Sequence, residues 1–340
     1  MTWTPQPLDF RSDTVTRPDD VVRRAMTEAE VDDNVIGTDP TVAELEQRAA
    51  QVLGMPAALW TPSGTMANLI ALSLHLERGD RFLAMRGAHV LTSELGSAAW
   101  LAGGMPDILE HDAGPGRCTP DALSAAISPD GPYYTLRTRL LCLENTHNSA
   151  GGAVTPPDEH AQLMSVAKQA GLTVHLDGAR IWHAAVALEV PPAALTVGVD
   201  SVSACFSKGL GAPVGSVVAG SVEFVERARR MRQMLGGGVR QGGVLAAACL
   251  VALGRIDELA ETHELARRLA VGLAEHGWGV ETPDTNIVLA DVPDLRTALE
   301  WLESLGIRVV PMAGKVRFVT HRDVSAADVE EAVRRIRTGV

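Results

Sequence analysis

Two segments constrain the fold of this chain more than anything else in it: His175-Leu176-Asp177-Gly178-Ala179-Arg180 and Cys205-Phe206-Ser207-Lys208-Gly209-Leu210-Gly211. Each follows a short apolar run with β-branched residues, Leu172-Thr173-Val174 and Val199 through Val202, that reads as a buried strand. Each then breaks into a glycine-bearing loop. An acid and a lysine are thereby set at the carboxyl ends of two strands, the edge on which open α/β sheets bind their ligands.

The rest of the chain supplies the sheet. Helices are expected over 19–30 and 41–53, the second led by Asp39-Pro40-Thr41 as cap and first turn. From there strand and helix alternate, with strands at 57–61, 81–85, 140–143, 172–176 and 201–206 and helices at 65–76, 93–102 and 158–170. Alternation of this kind argues an α/β fold with a mostly parallel sheet covered on both faces. The apolar run over 244–253 is too short to span a bilayer and reads as a buried helix. Past Gly254 a long charged helix, 255–276, leads into a strand-helix-strand-strand-helix order, the pattern of a smaller α+β domain. The expected organisation is an N-terminal arm over 1–18, a large domain over 19–254 and a small domain over 255–340.

Chemistry follows from position. Lys208 lies between an apolar strand and a glycine-rich loop, with no neighbouring charge that would mark a solvated face. Sheltered lysines act as Schiff-base nucleophiles. Asp177 fits two roles: a helix N-cap ahead of Gly178-Ala179-Arg180-Ile181, or a carboxylate that keeps a pyridine nitrogen protonated. The second, joined to an imine-forming lysine, is what pyridoxal phosphate requires of a protein. Arg180 offers a planar, always-charged fork suited to a substrate carboxylate. Pro62-Ser63-Gly64-Thr65-Met66-Ala67-Asn68 opens a helix after a strand, where free backbone N–H groups receive phosphate; a plain helix cap explains it equally well. It is neither a Walker loop nor a Gly-x-Gly-x-x-Gly turn. His89 follows a strand at the same edge, and His147 lies in the polar loop Glu144-Asn145-Thr146-His147-Asn148, a setting that favours function. The ten histidines show no zinc spacing, so no metal is expected.

Composition excludes other partners. A net charge of −12 gives no basic footprint for nucleic acid or an anionic membrane. The four cysteines have no Cys-x-x-Cys pairing, and Cys142 and Cys205 sit in apolar runs as buried, reduced residues. Met1-Thr2-Trp3-Thr4-Pro5 has neither the basic start nor the apolar stretch of a signal peptide. A reducing cytoplasm is the expected compartment.

Seven segments together resemble the low-specificity L-threonine aldolase family, in order and across essentially the whole chain. They are Leu8 through Pro18, Gly37 through Val42, Glu144 through Asn148, His175 through Arg180, Ser207 through Gly215, Gly236-Gly237-Gly238-Val239-Arg240-Gln241 and Val316-Arg317-Phe318-Val319-Thr320-His321. The resemblance implies a fold-type I pyridoxal-phosphate enzyme, with active sites at a dimer interface within a homotetramer. It implies that Lys208 carries the imine, that Asp177 holds the pyridine nitrogen, and that His89 stacks on the ring. Gly64, Thr65 and Arg240 would face the phosphate, with Ser207 and Arg180 also around the cofactor. Ser12, Arg180 and Arg317 would grip the substrate carboxylate, and His147 would lie near the β-hydroxyl.

The implied reaction is retro-aldol cleavage of L-threonine, L-allo-threonine and related β-hydroxy-α-amino acids to glycine and an aldehyde. His89, His147 and a bound water are all candidate bases. A β-eliminating lyase or an aminotransferase of the same fold would share Lys208 and Asp177 without requiring the His147 loop. A non-catalytic scaffold would keep the fold and lose the imine. Ile36, Leu91-Thr92-Ser93 and Met66 depart from residues common in the family, and bear on the preferred aldehyde rather than on the reaction class.

Overall fold

The computed structural model describes residues 7–128 and 131–339; residues 1–6 of the expected arm lie outside the described residues. In chain order the strands are β1 (Leu8–Asp9), β2 (Ala57–Thr61), β3 (Arg81–Met85), β4 (Met105–Leu109), β5 (Thr138–Glu144), β6 (Thr173–Gly178) and β7 (Ser201–Cys205). They continue as β8 (Ser216–Gly220), β9 (Gly279–Val280), β10 (Ile287–Asp291), β11 (Ile307–Arg308), β12 (Val310–Met312) and β13 (Lys315–Val319).

Seven of these form one sheet in the order β2-β8-β7-β6-β5-β3-β4. The pairs from β7 through β4 are parallel, and β8 runs antiparallel to both its neighbours. The reason is legible in β5. Leu141 and Leu143 enter one apolar cluster while Leu140 and Cys142 enter another on the opposite face. Successive side chains point to opposite faces, so a strand with four apolar residues in a row, 140–143, belongs in a sheet covered twice. The α/β fold with a mostly parallel sheet is therefore what the chain adopts.

The C-terminal strands build a second, antiparallel sheet in the order β12-β13-β10-β9. Phe10, Leu269, Leu302 and Phe318 belong to its separate apolar cluster. The N-terminal segment is stitched to this part: β1 runs parallel to β11, and the Val319 N–H donates to the Phe10 carbonyl at 2.8 Å. A few residues on, Thr16 Oγ1 donates to the Lys208 carbonyl at 3.1 Å. The N-terminal segment thus bridges the small sheet and the lysine loop.

Helices Asp20–Glu28 and Pro40–Val52 form as expected, the second capped by the Asp39 carboxylate. The run over 244–253 is a helix, Gly243–Leu253, with Ala246, Ala248, Cys249 and Ala252 fully buried. The expected helix over 93–102 is replaced by a short turn of helix, His89–Thr92, and a wide-turned helix, Ala98–Ala102. Leu95 and Gly96 between them take left-handed φ of 55° and 74°, which no continuous right-handed helix accommodates. The charged helix begins later than expected, as Leu259–Glu275 after a tight turn at Ile256–Glu258. All four cysteines are buried and unpaired. Among the described residues no helix is long and apolar enough to cross a membrane.

Candidate active site

Asp177 is the penultimate residue of β6, level with Glu144 on β5 and Ser203 on β7. Its Oδ1 accepts the Ala179 N–H at 3.0 Å and its Oδ2 accepts from Asn68 Nδ2 at 2.8 Å. The helix that follows, Ile181–Ala187, has Arg180 at its N-cap and no side-chain cap, so Asp177 is not spent on capping. Burial works to raise this carboxyl. The nearby His89 and Lys208, the Ala179 N–H and His175 outweigh it and hold Asp177 below the usual aspartate range, hence ionised.

Lys208 stands in the loop after β7, half-buried. Its backbone is fixed by Thr16 Oγ1 and by the Gly211 N–H, both donating to its carbonyl. Its amine makes no hydrogen bond or ion pair among the described residues, yet lies close enough to depress the carboxyls of both Asp13 and Asp177. Against the end of β7 begins the helix Gly64–His75, with Ser63 Oγ accepting the Met66 N–H at 3.2 Å. The N–H groups of Gly64 and Thr65 have no acceptor among the described residues. A Cβ on Gly64 would come within 2.7 Å of Cys205 Sγ, so glycine alone lets this helix start against the end of β7. Ser207 is half-buried in the same loop. Arg240 is exposed on a separate loop, its carbonyl accepting the Asn34 N–H at 2.7 Å. The structure does not bring its guanidinium into contact with the Lys208 cluster.

Two carboxylates that the sequence reading did not select hold His89. Its backbone N–H donates to Glu144 Oε2 at 2.7 Å, and its Nδ1 lies 2.9 Å from Glu94 Oε1. The Glu94 hydrogen bond raises the pKa of this ring against the opposing effect of burial. Burial and the neighbouring Asp177 in turn push the Glu94 carboxyl up. Donation of Nδ1–H to Glu94 leaves Nε2 of a neutral ring as the acceptor. His147 is placed otherwise. It is 1% exposed, its ring meets His111 edge-on at 5.3 Å, and its Nε2 is sealed from solvent without a partner.

The arginines divide their work through Asp13 and Asn148, neither of which the sequence reading selected. Arg180 Nε and Nη2 grip Asp13 at 2.8 and 2.7 Å, and Nη1 donates to Asn148 Oδ1 at 3.2 Å. Burial opposes ionisation of Asp13, but Arg180 overrides it and drives its pKa far below the usual range. Ser12, half-buried, accepts the Thr14 N–H at 3.2 Å beside this pair. Arg317 of β13 donates to Asn148 Oδ1 at 2.9 Å and to the Arg11 carbonyl at 3.0 Å. Both acceptors are neutral. Burial and the Arg180 charge push the Arg317 pKa down to about 10, and its Nε is buried without a partner.

An ionised aspartate closing one strand, an unpartnered amine in the loop after the next, and a helix start against that second strand whose first N–H groups have no acceptor among the described residues fit the pyridine nitrogen, carbonyl and phosphate of pyridoxal phosphate. That match, on a mostly parallel seven-stranded sheet, defines a fold-type I pyridoxal-phosphate enzyme.

Residues 9–294 match the sequence pattern of the beta-eliminating lyase family. The chain is 42% identical to a probable low-specificity L-threonine aldolase 2 of Arabidopsis thaliana, over 95% of this chain and 94% of that one. It is 40% identical to the low specificity L-threonine aldolase of Escherichia coli (strain K12), over 95% and 96%. Its fold matches a solved Leishmania major threonine aldolase with a TM-score of 0.82 at 20% identity, covering 97% of this chain and 99% of that one. The chain belongs to the beta-eliminating lyase family.

Proposed function

We propose that this chain is a pyridoxal-phosphate-dependent aldolase that cleaves L-threonine, L-allo-threonine and related β-hydroxy-α-amino acids to glycine and an aldehyde. The observation that carries this reading is end-to-end similarity, above 40% identity in one case, to relatives named for that activity. When bound, the cofactor supplies an electron sink for the pair released from the Cα–Cβ bond.

The residues divide the remaining tasks. Lys208 is the amine that holds the cofactor's carbonyl, and Asp177 keeps the pyridine nitrogen protonated. Gly64 and Thr65 receive the phosphate on free N–H groups, with Ser207 beside them. Arg240, exposed in one chain, would contribute only to the site of a neighbouring copy. Arg317 takes the substrate carboxylate, because its own charge has no anionic partner whereas that of Arg180 is compensated by Asp13. Arg180 and Ser12 then position Asp13 and, through Asn148, Arg317. We assign removal of the β-hydroxyl proton to His89 Nε2, left as an acceptor by the Nδ1 bond to Glu94, rather than to His147, whose pKa is pushed down by burial. A carboxylate held on Arg317 would fix the orientation of the substrate's Cα–Cβ bond.

A cytoplasmic location is supported by four unpaired cysteines. A homotetramer is supported by the family resemblance and by Ile36, Leu95 and Trp100, which are 90%, 95% and 78% exposed in a single chain. Purified protein incubated with pyridoxal phosphate and L-threonine should release glycine and acetaldehyde in equal amounts. Ammonia and a keto acid as main products would overturn the aldolase reading in favour of elimination.

A further inference from the structure

Behind Asp177 an unbroken run of hydrogen bonds leads away from the strand ends to the far end of the helix Gly64–His75. His75 Nε2 lies 2.7 Å from Ser201 Oγ, which lies 2.8 Å from His175 Nδ1. His175 Nε2 is 3.1 Å from Asn68 Oδ1, which also accepts from Ser203 Oγ at 2.7 Å. Asn68 Nδ2 then donates at 2.8 Å to Asp177 Oδ2 and, with its other hydrogen, to Glu94 Oε1 at 2.8 Å.

The direction of every link is forced. Carboxylate oxygens accept, so the amide nitrogen of Asn68 faces them and its oxygen faces His175. The oxygen has no hydrogen to give, so the 3.1 Å link requires His175 to carry its hydrogen on Nε2. Burial keeps that ring neutral by pushing its pKa down to about 4, which leaves Nδ1 as an acceptor for the Ser201 hydroxyl. Ser201 Oγ, having given its hydrogen, accepts from His75, whose pKa burial pushes down to about 3. Each donor along the run points toward Asn68, whose two amide hydrogens end on Asp177 and Glu94. A run of aligned hydrogen bonds polarises its members and favours the charged form of the acceptor at its end.

We propose that Asn68, His175, Ser201 and His75 form a positioning relay that holds Asp177 ionised and aimed at the pyridine nitrogen of the cofactor. This rests on the reading of Asp177 given above. A network that merely satisfied buried polar groups would support every part of a bound cofactor alike. A relay acting through Asp177 supports one atom of it.

The test measures affinity of the full-length apoprotein for pyridoxal phosphate and for its 1-deaza analogue, which has a carbon in place of the pyridine nitrogen. His175→Phe should weaken binding of pyridoxal phosphate about tenfold, as expected for loss of support to a charged hydrogen-bonding group, with a change under about twofold for the analogue. Ser201→Ala, a milder change that keeps the protein testable if His175→Phe fails to fold, should give the same selective loss at about threefold. Asp177→Asn serves as reference and should lose affinity only for pyridoxal phosphate. Equal losses for both ligands in His175→Phe and Ser201→Ala, with selectivity retained in Asp177→Asn, would overturn the relay alone. Equal losses in Asp177→Asn would overturn the reading of Asp177 and the relay with it.

Discussion

Strands β5 to β7 bury Glu144, His175, Asp177, Ser201 and Ser203 within one sheet. Strands β10 and β13 bury Ile287, Val288, Ala290, Val316, Phe318 and Val319, and carry one buried charge, Arg317. Polar groups inside a protein are costly unless hydrogen-bonded. The large sheet meets that cost by bonding His175, Asp177, Ser201 and Ser203 to one another and to Asn68, and Glu144 to the backbone of His89 and Asn148, so that altering one disturbs several. The small sheet is an apolar mount for a single arginine. Chemistry is built into the first region and presented by the second, and the two should fail in different ways.

The largest expected difference concerns acid. Burial pushes His75 and His183 down to about 3 and His175 and His263 down to about 4; His75 and His175 bond to Ser201 of the large sheet, and His183 and His263 bond to each other at 2.9 Å. In the unfolded chain each titrates near 6.5. Below that value the unfolded state binds protons that the folded state refuses. The stability these rings contribute is therefore present above about pH 6.5 and is lost as pH falls toward their folded values. Thermal denaturation scans from pH 8 downward should show a Tm that is flat above pH 7 and falls steadily below 6.5. A decline that starts only below pH 4 would trace acid sensitivity to carboxylates instead.

Next comes the pair that joins the two regions. Asp13→Asn leaves the Arg180 charge buried without its partner and should cost about 3–5 kcal/mol in denaturant unfolding. A cost under about 1 kcal/mol would mean that the pair behaves like an exposed one. Arg317→Ala should raise KM for threonine about a hundredfold while the visible absorbance of the bound cofactor is retained. Loss of cofactor as its main effect would place Arg317 in the wrong part of the site. The smallest effect belongs to the apolar region. Ile307→Val, fully buried in the small-sheet core, should cost about 0.5–1.5 kcal/mol with KM and cofactor spectrum unchanged.

The same contrast explains what could be read from the sequence. β2 and β3 fall on the expected 57–61 and 81–85 because apolar runs bounded by turn residues carry their own signal. β8 and the helix Val222–Met234 were not anticipated; the helix buries only a narrow stripe among charged residues. The helix expected over 93–102 was lost to Leu95 and Gly96, whose backbone conformation no apolar pattern reveals. In the site, Asp177 and Lys208 are legible because one closes a strand and the other lies in the loop three residues beyond the next. Asn68, Asp13 and Asn148 are not, because their roles exist only in partners far along the chain, and Glu94, five residues from His89, sits in a stretch whose apolar pattern reads as helix. Asp13 meets Arg180 across 167 positions and Asn68 meets Asp177 across 109. Asn68 lies in the helix-opening segment, which reads as a phosphate site, and Asn148 closes the polar loop around His147.

The central claim is that the loop after β7 supplies the amine that holds the cofactor. The chain contains only three lysines, Lys168, Lys208 and Lys315, so the claim has a clean chemical test. Borohydride treatment of the protein loaded with pyridoxal phosphate, followed by peptide mass mapping, should find the pyridoxyl group on Lys208. Its appearance on Lys168 or Lys315, or on none of the three, would contradict the account.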